Sequence, residues 1–125
     1  MSSNCLNFMI ITGPQIDLDI FYNENKTEDS ELELEQSIPR KEPSHEESIK
    51  EWSTTQTLSY LEVSQAPNKL NYSFQSRFGP PENWLRSIAK LYPTLFFNLD
   101  YEDECEFFKG KIYAHGSVFT DDEQH

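Results

Sequence analysis

The stretch that most constrains this chain is a strand–helix–strand run between residues 70 and 101. Leu70, Tyr72, Phe74, Ser76 and Phe78 alternate with Asn71, Ser73, Gln75 and Arg77, which is the period of a half-buried strand. Pro80-Pro81-Glu82 then opens a helix. Trp84, Leu85, Ile88, Leu91 and Tyr92 fall at i, i+1, i+4, i+7 and i+8, and Pro93 stops the helix, so start, apolar face and end agree. Leu95, Phe97, Leu99 and Tyr101 restore the alternation. Two half-buried strands joined through one amphipathic helix bury their apolar sides against it, so the chain is α+β, with a sheet and at least one covering helix.

The flanking segments extend that unit. Cys5 to Thr12 is a continuous apolar run with β-branched residues, read as a central strand, and Gly13-Pro14 ends it. Pro14 suits the first position of a helix, Asp17 and Asp19 favour its N-terminal dipole, and Ile16, Ile20 and either Phe21 or Tyr22 supply its core face. Leu58 to Val63 reads as a strand, and Ala66-Pro67-Asn68-Lys69 turns the chain into the next one. After Tyr101 the acidic turn 102–106 reverses the chain, Phe108 to His115 returns as a hairpin partner, and Gly116 closes it. The expected order is β-α-(long insert)-β-β-α-β-β. That is a ferredoxin-like split βαβ sandwich, an antiparallel sheet with two helices on one face and a long acidic insert. Residues 1–125 form one domain in this reading, with a polar insert at 23–51 and an acidic tail at 117–125.

The insert holds ten acids, four bases and two prolines. Leu32, Leu34 and Ile38 suit either a weak helix or an extended stretch that docks three side chains, and Pro39 to Glu47 is expected as a mobile loop with almost nothing to bury. Across the chain, 22 acids against 10 bases leave a net charge of −12. Such a chain is repelled by DNA and by anionic lipid, which excludes broad polyanion binding. Met1 to Asn4 carries no basic n-region and the run from Leu6 to Ile11 is too short to span a membrane, which points to the cytoplasm. Cys5 and Cys105 are then two free thiols.

Several segments resemble the YubB ferredoxin-like domain family. Asn4-Cys5-Leu6-Asn7 leading to Thr12-Gly13 is similar to its opening Trp-Cys-x-Asn strand and the Thr-Gly that follows. Phe74-x-Ser76-x-Phe78-x-Pro80-Pro81 resembles its Phe-x-Thr-x-Trp-x-Pro-Pro, and Leu91-Tyr92-Pro93 its Phe-Pro helix end. Tyr101, Asp103, Phe108 and Gly110 match the spacing of Tyr-x-Glu-x-Gly-x-x-Phe-x-Gly, with Gly116 near the final glycine, and Glu51-Trp52-Ser53-Thr54 resembles an Asn-Trp-Gly-Thr segment. The chain departs from the pattern at Asn4, at Phe78 and at Cys105, where a β-carbon replaces the hairpin glycine. The resemblance implies the fold and a phage, plasmid or bacterial setting, and no reaction.

The candidate site is the hairpin. Asp100, Glu102, Asp103, Glu104 and Glu106 place five carboxylates within seven positions, and Phe96, Phe107 and Tyr113 fall on or near the strand face opposite Leu95, Phe97 and Phe108. Carboxylates on a rigid hairpin imitate a row of phosphates, while apolar anchors rimmed by charge suit a protein partner. The expected function is therefore that of a non-enzymatic, mobile-element interaction protein. It blocks a basic nucleic-acid-binding surface on a host defence or nucleic-acid-processing complex, as an anti-CRISPR does, and needs no cofactor or metal. Two alternatives remain open: a metal-dependent hydrolase using Asp100, Asp103 and Glu104, and a homodimer paired through edge strands. The cysteines and histidines have no zinc-ligand spacing, and no Gly-x-Ser-x-Gly surrounds Ser44.

Overall fold

The structure is a computed structural model that describes residues 4–39, 45–54, 58–105 and 107–124. In chain order the elements are β1 (Asn4–Thr12), α1 (Gln15–Glu24), α2 (His45–Trp52), β2 (Ser59–Ala66), β3 (Lys69–Arg77), α3 (Glu82–Leu91), β4 (Phe96–Asp103), β5 (Lys109–His115) and β6 (Val118–Gln124). They build one six-stranded sheet in the order β2-β3-β1-β4-β5-β6, with every neighbouring pair antiparallel. β1, the expected central strand, pairs with β3 on one side and β4 on the other.

One set of alternating side chains faces the core. Met9 and Ile11 from β1, Leu70, Tyr72 and Phe74 from β3, Phe97, Leu99 and Tyr101 from β4, and Ile112 and Ala114 from β5 are all buried. Trp84, Leu85, Ile88 and Ala89 of α3 and Leu18 and Phe21 of α1 join them. The α3 indole is fully buried and its Nε1–H donates to the Leu34 carbonyl at 3.1 Å, so its one polar atom is satisfied. Truncating a tryptophan in such a place costs about 3–5 kcal/mol.

Several expectations are corrected here. In α1, Ile16 and Ile20 are exposed, and the buried stripe is Leu18, Phe21, the partly buried Tyr22 and Asn25, an i, i+3, i+4, i+7 set. Leu91, expected on the α3 core face, is exposed at the helix end. Phe78 lies beyond the end of β3 with φ +68 and turns outward, because the chain must swing from the sheet into α3. Within the insert, Leu32 and Leu34 are buried and Ile38 is partly buried, in keeping with a stretch that docks these three side chains, and Trp52 donates its Nε1–H to the Ile38 carbonyl at 2.7 Å. Residues 45–52, the first three of them expected in the mobile loop 39–47, form α2; residues 40–44 of that loop lie outside the described residues. Residues 118–124, read as an acidic tail, form the edge strand β6.

Backbone geometry distinguishes Ser53 and Cys105, two positions at which the resembled segments carry glycine. Ser53, where the similar segment has glycine, has φ +65, a conformation that favours glycine. Its hydroxyl oxygen accepts the Asn83 N–H at 3.2 Å and so serves an unpaired donor of the first turn of α3. Cys105 is not among the residues with positive φ, so the hairpin turn takes its β-carbon without left-handed strain.

Candidate functional site

The period of β4 divides the hairpin carboxylates. Asp100 and Glu102 are exposed on the outer face of the strand, whereas Asp103 lies on the core side and is 2% exposed. Its Oδ2 accepts the backbone N–H groups of Cys105 at 3.1 Å and Phe107 at 3.4 Å, so it closes the turn from within. Glu104 is exposed, and its Oε1 accepts the Asn4 N–H at 2.9 Å, tying the tip to the start of β1. Glu106 lies outside the described residues. The five acids are thus not one solvent-facing array. Asp103 is a structural carboxylate, and the set Asp100, Asp103 and Glu104 does not converge. Among the described residues, no group of three or more His, Cys, Asp or Glu side chains is placed to hold a metal ion.

The surviving acids belong to a larger feature, the side of the sheet opposite the buried side chains. Asp100 stands between Phe8 of β1 and Lys111 of β5, and Lys111 in turn opposes Asp122 of β6. Glu102 stands between Leu6 and Lys109. Asp100, Lys109, Gly110, Lys111 and Asp122 line a hollow of about 300 Å³. Beside this charged strip, Phe8 is 58% exposed, Phe96 38% and Ile10 37%. The Phe96 ring stacks on His115 with centroids 3.9 Å apart and planes 1° apart, and His115 Nδ1 lies 3.0 Å from the Leu95 carbonyl oxygen. Tyr113 is half-buried opposite Asn98. Of the three expected aromatic contacts, Phe96 and Tyr113 share this face. Phe107, 73% exposed, sits at the far end of the hairpin. Seven residue steps separate Phe96 from Asp103, a distance of about 23 Å at 3.3 Å per residue.

On the core side, β6 is held by a latch. The Tyr101 hydroxyl lies 2.7 Å from Asp121 Oδ1 and 3.2 Å from Glu123 Oε1. It passes over Gly110, where an added β-carbon would sit 2.6 Å from the hydroxyl oxygen. Burial first, then the bond to Asp121, pushes the Tyr101 phenol well above its ordinary range. Glu82 is also raised, by burial and then by Asp121, despite Arg86 at 3.7 Å. The Arg86 guanidinium lies 3.9 Å over the Phe119 ring, which ties α3 to β6. Cys5 is buried beneath β1 and its thiol is pushed up to about 12, chiefly by burial.

Phe8, Ile10, Glu62, Lys109 and Lys111 were not singled out from the sequence, whereas Asp122, with Asp121 and Glu123, is an expected extension of the acidic track and does lie beside Asp100 and Lys111. Reading Cys5 to Thr12 as a run apolar on both sides hid the fact that every second residue faces outward; period-2 counting from Met9 exposes Phe8 and Ile10.

The sheet order and the helix positions define the class: a ferredoxin-like domain with an antiparallel six-stranded sheet. Residues 59–124, the span from β2 to β6, match the family model described as the ferredoxin-like domain in Api92-like protein, and the chain belongs to that family. Comparison with curated proteins and with solved structures gave no match. No helix among the described residues is long and apolar enough to cross a membrane.

Proposed function

We propose that this chain is a cytoplasmic, non-enzymatic interaction protein of the YubB-like, mobile-element kind. It docks the uncovered face of its sheet on a basic partner surface and so keeps nucleic acid off that surface. The observation that carries the reading is the exposure of Phe8, Ile10 and Phe96 on one face beside Asp100, Glu102 and Asp122. Apolar anchors with a charged rim characterise protein contact sites. We read α1 and α3 as both lying over the buried face, which leaves the opposite one free, with the polar segment 23–51 as an insert rather than a cover. Asp100 and Glu102 each oppose a lysine, so phosphate mimicry by the tip alone is a weaker basis than the whole face and the net charge of −12, which steers basic partners. Self-pairing through β6 would set Asp121, Asp122 and Glu123 against like charges, so the edge disfavours a second copy.

The test is capture from a bacterial lysate on the immobilised protein and on a Phe8→Ser, Phe96→Ser variant, followed by a nucleic-acid-binding assay on the captured protein. The expected partner binds wild type only and elutes as salt shortens the screening length from about 10 Å at 0.1 M to about 3 Å at 1 M. It also loses nucleic acid as wild type is added. A partner retained equally by the variant, or one whose nucleic-acid binding is unaffected, overturns the reading.

A further inference from the structure

The uncovered face contains a trough whose walls differ in chemistry. On β3 the outward residues Asn71 and Ser73 are short, and the register sets larger groups on both sides: Phe8, Ser73 and Glu62 form one row and Ile10, Asn71 and Ser64 the next. With strands about 4.8 Å apart, the β1 and β2 columns are about 9.6 Å apart. The short side chains between them leave a hollow of about 240 Å³. One wall is the exposed Phe8 ring with Ile10 behind it. The other is Glu62, an exposed carboxylate with no ion-pair partner among the described residues. Lys69 and Arg77 lie on the same face of β3 but each is four residues from Ser73, about 13 Å along the strand.

An aromatic ring and a carboxylate facing each other across a narrow, hydroxyl-floored gap are complementary to a flat cation. A guanidinium can lie against the ring, where the π face attracts it, and present its edge N–H groups to the carboxylate as a forked pair. An ammonium has no plane to stack and no fork. A phosphate is repelled by Glu62 and, across the Phe8 ring, by Asp100.

We propose that the trough over β3 anchors an arginine side chain of a protein partner, stacked on Phe8 and paired with Glu62. The proposal rests on the reading of the uncovered face as a protein-docking surface and names what that surface selects. It is tested by titrating the isotope-labelled protein with the peptide Ac-Gly-Arg-Gly-NH₂, with its citrulline and lysine counterparts as probes, and following amide shifts by NMR. The arginine peptide is expected to saturate shifts at Phe8, Glu62 and Ser73, and to bind about tenfold more tightly than the citrulline peptide and severalfold more tightly than the lysine peptide. Glu62→Gln and Phe8→Leu, both at exposed positions, should each weaken it at least about fivefold while keeping the wild-type melting temperature. Equal binding of arginine and citrulline, shifts elsewhere, or full binding by Glu62→Gln overturns the proposal. If the peptide fails while capture still depends on Phe8 and Phe96, the arginine site falls and the docking face stands. If the peptide binds as expected while capture ignores those residues, the reverse holds.

Discussion

Replacing Gly110 by alanine should damage the protein far more than a single methyl group suggests. The new β-carbon would lie 2.6 Å from the Tyr101 hydroxyl oxygen, 2.7 Å from its Cζ and 2.7 Å from the Asp122 carbonyl oxygen. None of these can yield cheaply. The ring is 3% exposed and packs 6.1 Å from the Phe108 ring, and the carbonyl belongs to the backbone of β6, which pairs with β5 along its length. Overpacking of this kind costs about 1–3 kcal/mol. Driving the ring aside also breaks the bond to Asp121, worth about 1–2 kcal/mol because the carboxylate is exposed. The total is about 2–5 kcal/mol, or roughly 8–20 °C in melting temperature at about 4 °C per kcal/mol. Calorimetry and urea unfolding measure it, and a double-mutant cycle with Tyr101→Phe isolates the coupling. In the Tyr101→Phe background the alanine should cost at least about 1 kcal/mol less. A Gly110→Ala protein within about 0.5 kcal/mol of wild type would refute the latch.

Asp103→Ala should lose about 2 kcal/mol, since the buried carboxylate takes two backbone N–H groups, whereas Asp100→Ala should stay within about 0.5 kcal/mol. Urea midpoints that move equally would contradict this division of the tip. At pH 8, a disulfide reagent such as DTNB should titrate one thiol in the folded protein, the exposed Cys105, and two after denaturation; Cys5 stays silent because burial holds its thiol near 12. Two fast thiols in the native state would be inconsistent with a buried Cys5. Alkali should unfold the protein. Burial raises the Cys5 thiol and the Tyr72 and Tyr101 hydroxyls above their unfolded values, so the folded state keeps protons that the unfolded chain releases above about pH 9–10. Stability from these groups is therefore complete below that pH and falls as pH rises, by about 1.4 kcal/mol per unit for each group ionised only in the unfolded chain. Absorbance at 295 nm should show the buried tyrosines ionising together with loss of structure; their smooth ionisation in a folded protein near pH 10 would contradict it.

What could be read from the sequence depended on how many residues voted for each element. β3, α3 and β4 had unbroken periods with proline at both helix boundaries, and the structure keeps them to within a residue or two. α1 has apolar residues at 16, 18, 20, 21 and 22, too many positions for one face, and packing chose Leu18 and Phe21 over the isoleucines. Leu32, Leu34 and Trp52 were isolated among charges, so their burial depends on what the rest of the fold presents to them. The carboxylate cluster was the clearest local signal and the most misleading one. Proximity along a strand is not proximity on a face, because Asp100 and Glu102 point one way and Asp103 the other. The trough over β3 had no local signature at all, since it is assembled from three strands that meet only through their register.

The central claim is that partners meet the uncovered sheet face. Its most direct test is the NMR footprint of a captured partner on the labelled protein. The account predicts perturbed amides in β1, β3 and β4 around Phe8, Ser73, Phe96 and Asp100. A footprint confined to α1, α3 or the tip residues Glu104 and Phe107, with the sheet amides unmoved, would contradict it.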